Sequence, residues 1–295
     1  MFLSIIIPTY NRVGLLINTL ESVFEQQDND YEVLIIDDGS TDDTPTIIPN
    51  WIQQKKSLQI QYFRKENAER GAARNFGIAR ARGDYVTFLD SDDILYPNFV
   101  AEAKKALLKL RNPVVFHLGY VIKEAQSNKI LVTLAKNTTW NESLLDGNGL
   151  SCMGVVVRRT VLKDIQFEED RKLSGTEDWL LWLRISARYD IPGVATITSA
   201  LLNHESRSVI QADENQLFNR YELLIKYLKQ DETFMRKLGS YLPRIQAGML
   251  GYVALFLMLA GKKQKSLQTL WQAALIYPAE LFQRRTLAIF KHLLK

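Results

Sequence analysis

The chain of 295 residues has almost no cysteine. Cys152 stands alone, so neither an internal disulfide nor a cysteine cluster with metal-ligand spacing can hold the fold. Histidine numbers three, and a lone histidine such as His204 ordinarily has a structural role. No G-x-G-x-x-G or G-K-[ST] follows a hydrophobic run, which removes the warrant for a dinucleotide-dependent dehydrogenase or a P-loop ATPase. No basic n-region precedes Ile5-Ile6-Ile7, and Pro8 ends that run short of a signal-peptide core, so a cytoplasmic location is expected. Acidic residues are nearly absent from the last fifth of the chain. Residues 236–295 hold ten Lys or Arg against the single acid Glu280, a charge of +9, which leaves −5 on the rest of a chain whose formal total is +4. Such asymmetry suggests a body and a tail with different partners.

What is present is an ordinary globular composition, 46% apolar and 24% charged, far from that of a disordered chain and sufficient for a real core. The length allows one large domain or a domain with an appendage. Residues 3–8 form a continuous apolar run closed by Pro-Thr-Tyr-Asn, which reads as a buried strand. Apolar residues then recur at helical spacing over 13–27, and the alternation continues: strand 31–36, helix 42–55, strand 58–63, helix 68–81, strand 85–89. Alternating strands and helices predict right-handed βαβ units and a mostly parallel sheet, with ligands outside the carboxyl ends of the strands. Those ends are 9–11, 37–40 and 90–93. Beyond a helix from Pro97 to about Leu110, strands are expected at 114–120, 130–134, 155–157 and 194–202, with a helix at 176–189. Strand signals vanish after about Glu214. Helices are expected at 221–228, 242–259, 266–276 and 279–294, with a boundary near 205–213. The helix pair around Gly261, followed by Ala273-Ala274 and Pro278, resembles a tetratricopeptide hairpin, although one unit is no repeat array.

Five groups of residues could carry chemistry. Asp90-Ser91-Asp92-Asp93 places three carboxylates behind a hydrophobic strand; a hard cation such as Mg²⁺ or Mn²⁺ would relieve their repulsion, whereas a helix cap is the plain alternative. Asp37-Asp38-Gly39-Ser40 also follows a buried strand, and its acids could accept from a base or a ribose hydroxyl, or merely form an Asx turn. An aspartate phosphatase of the haloacid dehalogenase type fails here, because Ile36 occupies its nucleophile position. Arg74, near a helix start rich in small residues, could meet a diphosphate or sit on a solvated face. Glu177-Asp178-Trp179 opens a helix, where acids compensate the dipole, yet a positioned carboxylate there could also abstract a proton. His204 follows the last strand.

Together these segments resemble the inverting nucleotide-sugar transferases of glycosyltransferase family 2. The matching segments are Ile5-Ile6-Ile7-Pro8-Thr9-Tyr10-Asn11-Arg12, Asp37 to Asp42, Asn67 with Ala73-Arg74-Asn75-Phe76-Gly77, and Gly83 to Asp93. The likeness covers roughly 3–205, with Glu69 standing where the family carries glycine. It implies the GT-A fold: a Rossmann-like, mostly parallel α/β sheet with helices on both faces. The implied organisation is a catalytic domain over 1–210, divided into a nucleotide-sugar half (1–96) and an acceptor half (97–210), followed by a basic helical extension over 211–295. It also implies that Pro8, Thr9, Tyr10, Arg12, Asp38, Arg74, Asp90 and Asp92 bind the nucleotide-sugar, with Thr9 holding the base through its backbone. Asp92, Asp93 and His204 would hold Mn²⁺ or Mg²⁺, Asp178 would be the catalytic base, and Glu177 and Trp179 would lie by the acceptor or behind it. The implied partners are a UDP-sugar and a glycan or lipid-linked acceptor in cell-surface polysaccharide synthesis, not nucleic acid. Two alternatives remain open at this stage: a catalytically silent sugar-nucleotide or glycan-binding module, and a sugar nucleotidyltransferase. The latter would need a glycine-rich loop after the first strand, where this chain has no glycine before Gly14.

In the tail, Ile245 to Gly261 carries no charge and can be read as a core helix, an interfacial helix or a short membrane span. Residues 284–295 alternate bases with apolar residues, a pattern suited to an anionic membrane surface at the inner face of the plasma membrane or to packing on the domain itself.

Overall fold

Every residue of β1 (Leu3–Thr9) is buried, as expected of a β-branched strand covered on both faces in a parallel sheet. The computed structural model describes residues 1–56, 59–204 and 213–293. In it β1 lies between two parallel neighbours, β2 (Tyr31–Asp37) and β4 (Tyr85–Phe88), and β2 pairs in turn with β3 (Ile60–Arg64). Crossover helices α1 (Val13–Phe24), α2 (Thr44–Lys55) and α3 (Glu69–Ile78) join these strands. The core between sheet and helices is built from Ile5, Ile7, Leu16, Leu20, Val33, Ile35 and their neighbours.

Beyond β4 the sheet becomes mixed. The strand β5 (Ile94–Leu95), the helix α4 (Phe99–Lys109), β6 (Val115–Glu124), β7 (Ile130–Leu134), β8 (Val155–Arg158), the short helix α5 (Val161–Asp164) and β9 (Gly193–Asn203) complete this unit. The strand order is β3-β2-β1-β4-β8-β6-β9-β5, with β7 off the path against β6. The strand β8 runs antiparallel to both β4 and β6, while β6 and β9 are parallel. Strand periodicity locates such segments without setting their direction. The two-residue β5 is too short to leave a periodic signal, yet it pairs antiparallel with β9.

Two compact units emerge, and they interleave along the chain. One comprises Met1–Trp140, Leu150–Ser174 and Tyr189–Arg207; the other comprises Asn141–Gly149, Gly175–Arg188 and Ser208–Lys295. This differs from a linear division at 210, because α6 (Glu177–Ser186) and residues 141–149 fall with the C-terminal helices. The boundary expected near 205–213 lies almost wholly outside the described residues.

The helical unit continues with α7 (Glu214–Gln230), opened by a capping box between Asp213 and Gln216. Next come α8 (Glu232–Leu238), α9 (Leu242–Leu259), α10 (Lys263–Ile276) and α11 (Arg284–Leu293). The charge-free segment is the central helix α9. Its Val253 and Leu257 meet Leu217, and its Ala254 and Met258 meet Leu270 and Ile289. The helical run Glu232–Leu259 is long and apolar enough to cross a membrane, and 61% of its apolar window is buried within the protein. Gly261, at φ +78°, makes the left-handed turn into α10. The single helix expected over 279–294 is instead a 3₁₀ turn at Pro278–Phe282 followed by α11. Glu280 is buried there, its carboxylate forked by Arg285 Nε and Nη2 at 2.5 and 2.6 Å, and the Thr286 hydroxyl donates to the Glu280 carbonyl.

Candidate functional site

Because β1, β2 and β4 are parallel and in register, their carboxyl ends deliver residues 9–12, 37–42 and 89–93 to one edge of the sheet. The first two loops are tied together. Asn11 adopts φ 52°, and its amide oxygen accepts from the backbone N–H groups of Thr41 and Asp42 at 2.7 and 3.3 Å. Asparagine tolerates that left-handed conformation better than most side chains. Gly39 is required at its turn: φ is +80°, and a Cβ there would lie 3.0 Å from the Asn67 nitrogen.

Asp37 and Asp38 have different surroundings. Asp37 is fully buried, accepts from the Ser40 N–H at 2.8 Å and from the Tyr62 hydroxyl, and closes the turn. Burial, and then the Asp37 carboxylate, push the Tyr62 phenol far above its ordinary range. Asp38 faces α3: Lys65 Nζ lies 2.8 Å from its carboxylate and the Ala68 N–H donates to it at 3.0 Å. Lys65 escaped sequence reasoning because nothing in its spacing marks it, and only the parallel pairing of β2 with β3 brings it to Asp38. Thr9 is tied to Asp38 through its backbone. Its backbone carbonyl accepts the Asp38 N–H at 2.9 Å, while its buried hydroxyl has no hydrogen-bond partner among the described residues. Pro8 is buried in β1 and Tyr10 is exposed.

The acids behind β4 converge. One ligand atom from each of Asp90, Asp92 and Asp93 fits within 4.8 Å of the others. Asp92 Oδ2 accepts from Arg12 Nη1 at 2.6 Å and lies 3.0 Å from His204 Nε2. The path to His204 runs through the fold: β5 follows the acids directly and pairs with β9, whose next residue is His204. Asp93 is fixed by the Leu202 N–H, 3.0 Å from its Oδ1, and by the Thr19 hydroxyl, 2.9 Å from its carbonyl. A helix cap does not describe these acids, since the next helix, α4, starts at Phe99 with no side-chain cap from them.

Arg74 is not a solvated helix residue. It is 1% exposed, its Nη2 donates to Asp90 Oδ1 at 2.8 Å, and its guanidinium lies over the Phe167 ring at 5.1 Å. It therefore positions Asp90 from beneath. Glu69, at the head of α3, sits at φ 72°, a conformation suited to glycine; its carboxylate accepts from the Ser174 hydroxyl at 3.1 Å.

The remaining expected residues belong to the helical unit. Asp178 Oδ2 accepts from Asn148 Nδ2 at 2.8 Å and its Oδ1 from the Trp179 N–H at 2.7 Å. Trp179 is buried, donating from its indole to the Leu144 carbonyl at 2.9 Å. Glu177 is also buried, and its carboxylate accepts the Gly175 N–H at 2.5 Å. Both side chains support the start of α6 rather than line an open surface.

Comparison with known proteins agrees with this layout. The profile of Glycosyl transferase family 2 matches residues 4–165. An uncharacterized glycosyltransferase of Rickettsia felis is 32% identical over 200 residues, 65% of this chain and 31% of its own length. The GalNAc(5)-diNAcBac-PP-undecaprenol beta-1,3-glucosyltransferase of Campylobacter jejuni is 36% identical over 129 residues, 43% of this chain and 40% of its own. The chain thus spans about a third of the length of the Rickettsia relative. Among solved structures, S. aureus TarS 1–349 in complex with UDP-GlcNAc superposes with a TM-score of 0.66 at 20% identity, covering 94% of this chain and 92% of that one. The mixed sheet and its helices are therefore those of the GT-A glycosyltransferases, and this chain belongs to glycosyl transferase family 2.

Proposed function

We propose that the protein transfers a sugar from a nucleotide-diphospho-sugar, a UDP-sugar above others, to a hydroxyl of a glycan or lipid-linked acceptor, inverting the anomeric carbon. The convergence of Asp90, Asp92, Asp93, Arg12 and His204 at the strand ends carries this reading. Arg12 and Arg74 balance part of the charge of Asp92 and Asp90, and three converging carboxylates are oxygen donors of the kind that suits Mn²⁺ or Mg²⁺. Asp92, Asp93 and His204 would hold that ion; when bound it neutralises the diphosphate and stabilises charge on the leaving group.

The chain's own residues supply the rest. The unpartnered Thr9 hydroxyl and the Asp38 carboxylate offer hydrogen bonds to the nucleoside, with Pro8 and Tyr10 framing them. Arg12 orients Asp92, and Arg74 orients Asp90 toward the ribose. Asp178 takes the proton of the acceptor hydroxyl as its oxygen bonds to the anomeric carbon and the carbon–phosphate oxygen bond breaks, releasing the nucleoside diphosphate. Glu177 and Trp179 hold the helix end that presents Asp178. The Campylobacter relative, named for an undecaprenol-linked substrate, and TarS, solved with UDP-GlcNAc, support a lipid-linked acceptor and a UDP donor. The 1–210 segment would then be the catalytic domain, acting in the cytoplasm in the synthesis of a cell-surface glycan.

Calorimetry tests the site. UDP should bind the wild-type chain only with Mn²⁺ or Mg²⁺, and the Asp92→Asn/Asp93→Asn variant should lose that binding. Undiminished binding by the variant would refute the metal site. A screen of sugar nucleotides for metal-dependent hydrolysis addresses catalysis, and binding without hydrolysis of any of them would favour a silent binding module.

A further inference from the structure

The outer face of α10 and α11 exposes large apolar side chains with bases among them and no acid. On α10, Gln264, Gln268, Trp271 and Leu275 recur at spacings of four, three and four, which places them on one stripe. The opposite side of α10, including Ser266, Leu270, Ala273 and Ala274, is buried. On α11, Thr286 and Ile289 are buried, whereas Arg284, Leu287, Phe290 and Lys291 are exposed. Both helices contribute to one core against α9, through Leu270 and Ile289. Lys263 Nζ, at the head of α10, donates to the Leu293 carbonyl at the end of α11 at 3.4 Å. The two helices thus run in opposite directions against α9, and each turns an outer stripe away from it.

The exposure on this face is large: Trp271 is 63%, Leu275 68%, Leu287 61% and Phe282, in the turn between the helices, 85% accessible. Monomeric proteins rarely leave so many apolar side chains together without a partner. The charge that α10 and α11 themselves expose is positive, since Glu280, the only acid in 236–295, is buried under Arg285; from α7, Glu214 pairs with Lys262 and Lys265 at the head of α10 and leaves Lys263, Arg284 and Lys291 outside that pair.

We propose that this face docks on the surface of an anionic lipid bilayer, with Trp271, Leu275, Phe282, Leu287 and Phe290 entering the interfacial region and Lys263, Arg284 and Lys291 meeting lipid phosphates. Charge complementarity selects this occupant. A second copy would bring like charges together, whereas an anionic bilayer offers apolar depth and negative headgroups in the same surface. Tryptophan favours the headgroup level, where one edge of the ring is apolar and the indole N–H is wet. The inference does not rest on the proposed reaction, because vesicle binding is read without turnover.

Flotation of the full chain with vesicles of phosphatidylcholine, alone or mixed with phosphatidylglycerol, tests it. The wild type should float with the anionic vesicles only, with a blue shift of tryptophan emission that Trp271→Phe removes. Phe282→Ser/Leu287→Glu should bind at least tenfold more weakly while keeping the wild-type circular dichroism melt and calorimetric UDP binding. Arg284→Glu/Lys291→Glu should lose binding at low salt, where the wild type binds best. Failure of the wild type to float, or full binding by Phe282→Ser/Leu287→Glu, would overturn the proposal. So would a wild-type dimer in sedimentation that this variant converts to monomer, which would make the face a subunit interface.

Discussion

The strand ends of the sheet unit and the outer face of α11 treat charge in opposite ways. At the strand ends of the sheet unit three cations are matched to acids: Arg74 to Asp90, Lys65 to Asp38, Arg12 to Asp92. On α11 of the helical unit, Arg285 is paired with the buried Glu280, whereas Arg284 and Lys291 are exposed, as are Leu287 and Phe290. The difference teaches where each kind of charge can act. A buried ion is tolerated only with a partner, because desolvation costs more than an isolated charge can recover. An exposed cation adds little to stability, so its position is free to answer to an outside partner.

The largest effect should come from the acid that breaks this division. Asp178 lies in the helical unit, yet it is read as the base. Asp178→Asn should lower kcat by roughly 10²–10⁴-fold while calorimetric donor binding is retained; unchanged transfer would remove Asp178 from the mechanism. Next, Arg74→Met should lower unfolding free energy by about 2–4 kcal/mol, since it strips Asp90 of its buried counter-ion. Lys291→Ala, on the outer face of α11, should cost no more than about 0.5 kcal/mol. Equal losses in urea melts would erase the contrast between the units.

A smaller effect concerns a buried group that carries no charge. His117 in β6 is enclosed by the Tyr120 and Trp140 rings, and burial, aided by Lys136, pushes its imidazole down to about 3. The unfolded chain takes up a proton near the ordinary value of 6.5 while the folded chain does not. Stability is therefore whole above that value and falls with pH below it, by about 1.4 kcal/mol per pH unit. His117→Asn should flatten the slope in denaturant melts above the carboxylate range; an identical slope would mean that the native imidazole accepts the proton. Another small change runs the other way. Glu69→Gly should stabilise the fold by about 1 kcal/mol by relieving the left-handed backbone at the head of α3. A loss of stability instead would show that the Ser174 hydrogen bond outweighs the strain.

Much of the first half was legible because its signals are local. The strands from β1 to β4 and their crossover helices follow from alternating apolar runs, and Asp38, Asp90, Asp92 and Asp93 stand at strand ends where parallel sheets bind ligands. The mixed half was less legible, since strand direction and the two-residue β5 depend on partners distant in sequence. The break at 278–282 was hidden because helical periodicity continues through it, and the buried Glu280–Arg285 pair holds it together with the Thr286 hydroxyl on the Glu280 carbonyl.

The site divides in the same way. By itself the sequence determined the motif set, the acid cluster and the separation of an acidic body from a basic tail, because each is a property of neighbouring residues. Tertiary structure alone decided that Arg74 points inward to Asp90, that Lys65 reaches Asp38, and that β5 carries His204 to Asp92 through its pairing with β9. It also decided that the charge-free helix α9 lies inside a helical core while the outer faces of α10 and α11 remain open. These outcomes depend on which surfaces meet, and burial then sets the partner each charge must have.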